Sequence, residues 1–324
     1  MTNAIRFHEF GGPDVLRLEA MNLPDPGPAE ARVRQEACGL NFLDTYQRSG
    51  LYKVPLPSGA GNEGAGVVEA VGSAVTHLKV GDRVAYAGGP IGAYAEARNI
   101  PADRLCVLPE GISFEQGAAM MLKGMTVQYL IRRTYRVQPG DTVLFHAAAG
   151  GVGLMACQWL KALGATVIGT AGSEEKCALA RQHGADLCIN YRTENFVERV
   201  KDFTNGAGVP VVYDSVGKDT FLGSLQCLRP FGLMVSFGNA SGPVPPFEPG
   251  LLAQNGSLYF TRPTLFTHTA KRADLEAISQ DLFEIVRAGK VRIEVERRYA
   301  LADAAEAHRD LEARRTTGAG ILVP

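Results

Sequence analysis

At 324 residues the chain is too long for one typical domain and comfortable for two, and 46% hydrophobic with 21% charged residues is ordinary for a globular protein with a sizeable core. A formal net charge of −1 leaves no global basic field to recruit nucleic acid or a membrane surface. No apolar run is long enough to span a bilayer, and the opening MTNAIRFHEF lacks the basic-then-apolar layout of a secretory leader.

The first third reads as short β-branched runs separated by Gly- and Asp-bearing turns, as in GAGVVEAVGSAV (64–75) and VGDRVAYAG (80–88), which predicts a small barrel-like unit over residues 1–120. After Met125 the character changes. From Asp141 one unit repeats: an apolar strand, a loop, an amphipathic helix, then glycine. TVLFHA (142–147) is the first strand. The helix 151–163 follows, with Val152, Met155, Ala156, Trp159, Leu160 and Leu163 on one apolar face and Gly164 placed to end it. Further strands are expected at 165–170, 187–190, 209–214 and 233–238, with helices at 173–183 and 219–228 between them. Strand and helix alternating at this interval define an α/β fold with a doubly wound parallel sheet. A helical segment at 271–288, short strands and a polar helix complete the chain. The cysteines Cys38, Cys106, Cys157, Cys177, Cys188 and Cys227 form no C-x-x-C pair and most have apolar neighbours. They read as buried free thiols in a reducing compartment, by default the cytoplasm.

AAAGGVG (147–153) lies between the first predicted strand and the first helix. Aligned to a G-x-G-x-x-G fingerprint, it has Ala148, Gly150 and Gly153 at the three glycine positions. Gly150 lets backbone approach a pyrophosphate, the helix start offers unpaired N–H groups, and Gly153 permits close packing of helix on strand. An NAD-preferring site carries Asp or Glu at the end of the second strand to bind the ribose hydroxyls. Here Ala171 stands there, followed by Gly172, Ser173 and then Lys176. Without the carboxylate a 2′-phosphate is not repelled, and Lys176 can donate to it, so NADPH is the expected cofactor.

NFLDTYQRSGLY (41–52), GNEGAGVVEAVG (61–72), VGDRVAY (80–86), GDTVLFHAAAGGVGLMACQWLKALGA (140–165), VYDSVG (212–217), LMVSFGNASG (233–242) and SLYFTRPTL (257–265) together give the chain an end-to-end resemblance. It resembles the zinc-free quinone oxidoreductase branch of the medium-chain dehydrogenase/reductase superfamily, the branch that includes ζ-crystallin. The resemblance implies a GroES-like β-rich barrel catalytic domain at 1–124 plus 267–324, split by a Rossmann NADPH-binding domain at 125–266, with nicotinamide and substrate in a cleft between them. It assigns cofactor contacts to Asn41, Thr45, Tyr129, Gly151, Val152, Gly172, Ser173, Lys176, Tyr191, Ser215, Phe237, Asn239 and Arg314, in addition to Gly150 and Gly153 of the fingerprint. Lys176, Tyr191 and Arg314 would surround the 2′-phosphate. It also implies a homodimer joined at the Rossmann sheet edge, where SLYFTR (257–262) has strand character.

Zinc alcohol dehydrogenases hold their catalytic metal through cysteine, histidine and cysteine. At the matching positions this chain has Asn41, Asn62 and Lys123, which cannot replace two thiolates and an imidazole, and the cysteines of the structural zinc lobe are missing. No zinc is therefore expected, and alcohol oxidation loses its electrostatic support. An electron-poor quinone avoids that requirement. Asn41, Tyr46 and Tyr52 are the catalytic candidates, orienting the quinone and hydrogen bonding its oxygens. Glu63 matches a family position near the former metal site and receives no catalytic role. A second reading within enzymes is NADPH-dependent reduction of activated alkenes such as 2-alkenals and enones. In another class lies an RNA-binding or crystallin-like structural role. Near-neutral charge and the absence of an aromatic-basic RNA motif argue against nucleic acid as the main partner, and the intact cofactor site argues against a purely structural one.

Overall fold

The computed structural model describes residues 1–324, which divide into two compact units: Met1–Met125 with Thr269–Arg287 and Ile293–Pro324, and Thr126–His268 with Ala288–Arg292.

The first unit is built on two sheets. The smaller pairs Thr2–Phe7 with Arg17–Met21 and Ser58–Gly59, all antiparallel. In the larger, the order is Val295–Ala300, Ala319–Val323, Glu30–Gly39, Glu63–Val71, Arg83–Ala87 and Cys106–Val107, while Ala97–Pro101 pairs with Glu30–Gly39. The C-terminal strand thus returns to the sheet begun in the first third, with Ile321 opposite Gly39 and Leu322 opposite Cys38. Glu30–Gly39 is buried at alternate positions over most of its length, as a strand with one face on a core requires. That core gathers Ala31, Val33, Val68, Val84, Tyr86, Ile100 and Leu105. A second cluster packs Ile5, Phe7, Cys38, Leu40 and Tyr94 against Leu301, Ala304 and Ala307, so the C-terminal helix Ala304–Glu312 completes the same unit.

In the second unit the six-stranded sheet runs Leu187–Asn190, Thr166–Ala171, Thr142–Phe145, Val209–Asp214, Leu228–Ser236 and Tyr259–Thr261, every pair parallel. In order of sequence this is third, second, first, fourth, fifth and sixth, the doubly wound arrangement with its switch point between the first and fourth strands. Val209–Asp214 is buried at every position, as a central parallel strand covered on both faces must be. Helix Gly151–Ala162 buries Leu154, Met155, Ala156, Cys157, Trp159 and Leu160. It stops where Gly164 adopts φ +81°, a left-handed conformation that glycine enters without a Cβ clash. Tyr259–Thr261 forms one edge of the sheet, with Tyr259 exposed. No helix is long and apolar enough to cross a membrane, and all six cysteines are free and buried.

Candidate functional site

The carboxyl ends of the parallel strands carry most of the expected nucleotide contacts. After Thr142–Phe145 the chain turns through Ala147, whose φ is +54°, to Gly150, the N-cap of the helix that begins with Gly151, Val152 and Gly153. A Cβ on Gly153 would lie 2.3 Å from the Ala147 carbonyl oxygen, so helix and strand meet at a distance only glycine allows. The helix start directs free N–H groups out of this turn, the arrangement that receives a pyrophosphate.

The second strand ends at Ala171, and Ser173 caps the next helix by accepting from the Lys176 N–H at 3.3 Å. A Cβ on Gly172 would lie 2.6 Å from the Tyr191 hydroxyl and 3.6 Å from Arg192 Nε. Gly172, Tyr191 and Arg192 therefore meet beside the Ser173 cap, and Arg192 is a cation that the sequence reading did not single out. Its only sequence signal was a basic residue directly after Tyr191. Ser215, Phe237 and Asn239 gather at the ends of the fourth and fifth strands: Phe237 N–H donates to the Asp214 carbonyl at 2.8 Å and Ala240 N–H to that of Ser215 at 3.1 Å. Tyr129 is buried and stacks on His268, ring centroids 4.4 Å apart. Arg314 belongs to the first unit, just beyond helix Ala304–Glu312, with φ +56°.

A buried network beneath these turns locks three strand ends together. Asp214 accepts from the Val216 and Gly217 N–H groups at 2.8 and 3.0 Å and from the hydroxyls of Thr220 and Ser224 at 2.7 and 3.0 Å. Because Ser224 donates to Asp214, its oxygen accepts from His146 Nε2 at 3.0 Å, which leaves Nδ1 to accept from the Thr170 hydroxyl at 2.9 Å. Burial holds His146 neutral by lowering its pKa.

In the first unit, Asn41 is the buried N-cap of the short helix Phe42–Arg48, which carries Thr45 and Tyr46. The Thr45 hydroxyl donates to the Phe42 carbonyl at 2.8 Å. Tyr46 meets Tyr52 edge-on, centroids 5.4 Å apart, and the Tyr52 N–H donates to the Tyr46 carbonyl at 2.9 Å, so the two tyrosines stand together. Asn41 Nδ2 donates to Glu63 at 2.8 Å, and Lys123 Nζ reaches the same oxygen at 3.2 Å. Asn62 donates to Asp44 at 2.7 Å and to Gln47 at 2.6 Å. The three positions that replace metal ligands in the sequence comparison are thus engaged with acids and amides of the chain itself.

Asp44, Tyr94, His308 and Arg48 also belong to this region and had no local sequence signal. Asp44 accepts from Tyr94 Oη at 2.7 Å and from the Asn41 N–H at 2.9 Å. Tyr94, having donated, accepts from His308 Nε2 at 3.2 Å, and His308 Nδ1 accepts from Arg48 at 3.3 Å. Arg48 is itself salt-bridged to Glu312 at 2.5 Å. Donors run in one direction from Arg48 to Asp44 and tie the C-terminal helix to the helix bearing Asn41 and Tyr46. Burial pushes Asp44 up to about 6 against the hydrogen bonds that favour its charged form, and burial beside Arg48 pushes His308 down to about 3.

A family model for the zinc-binding dehydrogenases matches residues 151–280, and one for the alcohol dehydrogenase GroES-like domain matches residues 27–110. Fold and strand-end site define a medium-chain dehydrogenase/reductase. The chain is 58% identical to a quinone oxidoreductase of Pseudomonas aeruginosa, across 100% of both proteins. It is 52% identical to the Escherichia coli quinone oxidoreductase solved in complex with NADPH, superposing with a TM-score of 0.98 across 100% of both chains. A 2-haloacrylate reductase of Burkholderia sp is 44% identical over 100% of this chain and 99% of its own. The chain belongs to the quinone oxidoreductase family of the medium-chain dehydrogenases/reductases.

The buried network makes stability depend on pH in two opposing ways. His308 is depressed from 6.5 to about 3, so its contribution is present above 6.5 and is lost as pH falls toward 3. Asp44 is raised from 3.8 to about 6, so its contribution is present below 3.8 and is lost as pH rises through 6. His308→Gln removes the first effect alone. The stability gap between wild type and variant should widen with rising pH, by up to about 1.4 kcal/mol per pH unit, until 6.5, and then stay constant. Urea unfolding across this range checks it, and a gap independent of pH would contradict the assignment.

Proposed function

We propose that the protein reduces quinones with NADPH, without zinc. Full-length identity of 58% to a quinone oxidoreductase carries the reading. The strand-end geometry supports the cofactor: Gly150 and Gly153 open the pyrophosphate turn, Gly172 and Tyr191 meet where Ala171 leaves room for a 2′-phosphate, and Lys176 begins its side chain one turn into the helix that Ser173 caps. Ser215, Phe237, Asn239 and Tyr129, all in the second unit, would line the remainder of the dinucleotide.

The family model's description implies a metal, and the residues at that place do not fit one. Zn²⁺ is held by thiolates, imidazoles and carboxylates. Here Lys123 presents a cation, Asn41 and Asn62 present amides, and both oxygens of Glu63 are already taken by protein donors. NADPH, when bound, supplies the hydride. The remaining work is alignment of an electron-poor acceptor. Asn41 orients it, and the Tyr46–Tyr52 pair borders it and hydrogen bonds a quinone oxygen.

The likeness to a 2-haloacrylate reductase favours one second reading, reduction of activated alkenes. Buried free cysteines support a reducing cytoplasmic setting. The edge strand Tyr259–Thr261, with Tyr259 63% and the neighbouring Phe231 70% exposed, supports a homodimer joined through this edge. A dimer mass in light scattering at micromolar concentration is expected, and a monomer would count against it.

Lys176→Ala should weaken NADPH binding about 10- to 100-fold and leave NADH nearly unchanged, the worth of one charge-assisted bond to the phosphate. Equal losses for both cofactors would remove Lys176 from the phosphate site. With NADPH saturating, 1,4-naphthoquinone should be turned over faster than a 2-alkenal or 2-chloroacrylate. The reverse order would establish the alkene reading.

A further inference from the structure

Glu63 begins the strand Glu63–Val71 with no exposure to solvent. Its Oε1 accepts from the Leu122 N–H at 2.7 Å, and its Oε2 accepts from Asn41 Nδ2 at 2.8 Å and Lys123 Nζ at 3.2 Å. Both oxygens are therefore committed to donors from two separate segments of the chain. The carboxylate has no room to turn aside. A Cβ on Gly39 would lie 2.3 Å from Glu63 Oε2 and 2.1 Å from the Ala118 carbonyl oxygen, so the strand beside Glu63 closes on it to a distance only glycine permits.

An asparagine amide can rotate to exchange its oxygen and nitrogen, which differ little in size and completely in hydrogen bonding. At Asn41 one of the two orientations is forbidden. Turned over, the amide would aim Oδ1 at Glu63 Oε2 and bring two acceptors together in a buried site with no proton between them, while the carboxylate lost a donor. The backbone of Asn41 is fixed as well, its N–H donating to Asp44 at 2.9 Å. A buried ion pair such as Glu63–Lys123 adds little net stability over apolar residues of the same volume, so stability does not explain its presence. Orientation does.

We infer that Glu63 is a positioning residue: its buried carboxylate, neutralised by Lys123, sets which face of the Asn41 amide is offered to the substrate. The inference rests on the reading of Asn41 as a substrate-facing residue. The Asn41 amide is then held in one arrangement, with no rotation to be frozen during the reaction. Lys123 acts through Glu63 by cancelling its charge.

Glu63→Gln keeps the shape and gives one oxygen position to an NH₂ group, which must face either the Leu122 N–H or the Asn41 and Lys123 donors. Glu63→Gln/Lys123→Met removes both charges together and guards against a variant that fails to fold around an unpaired ammonium. Each is compared with wild type, and in an Asn41→Ala background, for NADPH affinity by fluorescence titration and for kcat and KM with 1,4-naphthoquinone. The side-chain amide resonances of Asn41, assigned by their loss in Asn41→Ala, give a readout that needs no turnover. The expected result is a change in NADPH affinity no larger than that of Asn41→Ala and kcat lower by about 10- to 100-fold, the scale on which misplacing a positioned group acts. No further fall should follow when Asn41 is already alanine, and the Asn41 amide protons should shift and lose their protection from exchange. Unchanged kcat in a folded variant, an equal loss in the Asn41→Ala background, or undisturbed Asn41 amide protons would overturn it. Should wild type reduce a 2-alkenal and no quinone, the substrate reading fails, and the same comparison with the alkenal still decides the role of Glu63.

Discussion

A carboxylate sealed from water must be surrounded by donors, and in the first unit Glu63 imposes that requirement on everything near it. It takes a backbone N–H from Leu122, the ammonium of Lys123 and the amide of Asn41, and it needs a glycine at position 39 to leave it space. Asp44, three residues along the same short helix, repeats the requirement with Asn41, Asn62 and Tyr94 as its donors. Between them the two acids engage the asparagines that stand where a zinc dehydrogenase has metal ligands. The charge balance is internal to the protein, with the Lys123 ammonium 3.2 Å from the Glu63 carboxylate.

The second unit obeys the same logic with a different result. Asp214 gathers two hydroxyls and two backbone N–H groups, and through Ser224 it sets the tautomer of His146, which in turn holds Thr170. Three strand ends are pinned to one another below the turns proposed to receive the dinucleotide. Fully satisfied buried polar networks specify a single geometry more than they add stability, and both sites rest on one.

The parallel-sheet half was legible because its signals are local. Strands at Leu187–Asn190 and Val209–Asp214 are apolar runs of the right length, and Gly164 ends its helix by its own backbone freedom. The fifth strand begins at Leu228, five residues before the expected start at 233, because Pro230, Phe231 and Gly232 break the β pattern and Phe231 takes φ +60°. Gly172, Ser173, Lys176 and Tyr191 were assigned by motif position, and the fold brings Gly172 and Tyr191 together. Arg192 was passed over beside them. Nothing local announces that Asp44 meets Tyr94 fifty positions away, or that Tyr94 meets His308 a further 214 positions on. A buried histidine and a buried tyrosine look like core residues until the fold brings them to an acid. The role of Glu63 was hidden for the same reason: its partners lie 22, 59 and 60 positions away.

The cluster at Glu63 is neutralised by the protein's own Lys123, and an electron-poor quinone needs no Lewis acid, so hydride transfer should proceed without metal. The direct test is the rate of NADPH oxidation by 1,4-naphthoquinone before and after exhaustive dialysis against a strong chelator, with metal content measured on the same samples. The account predicts an unchanged rate in metal-free protein and no gain on adding Zn²⁺. A rate abolished by the chelator and restored by Zn²⁺ would contradict it.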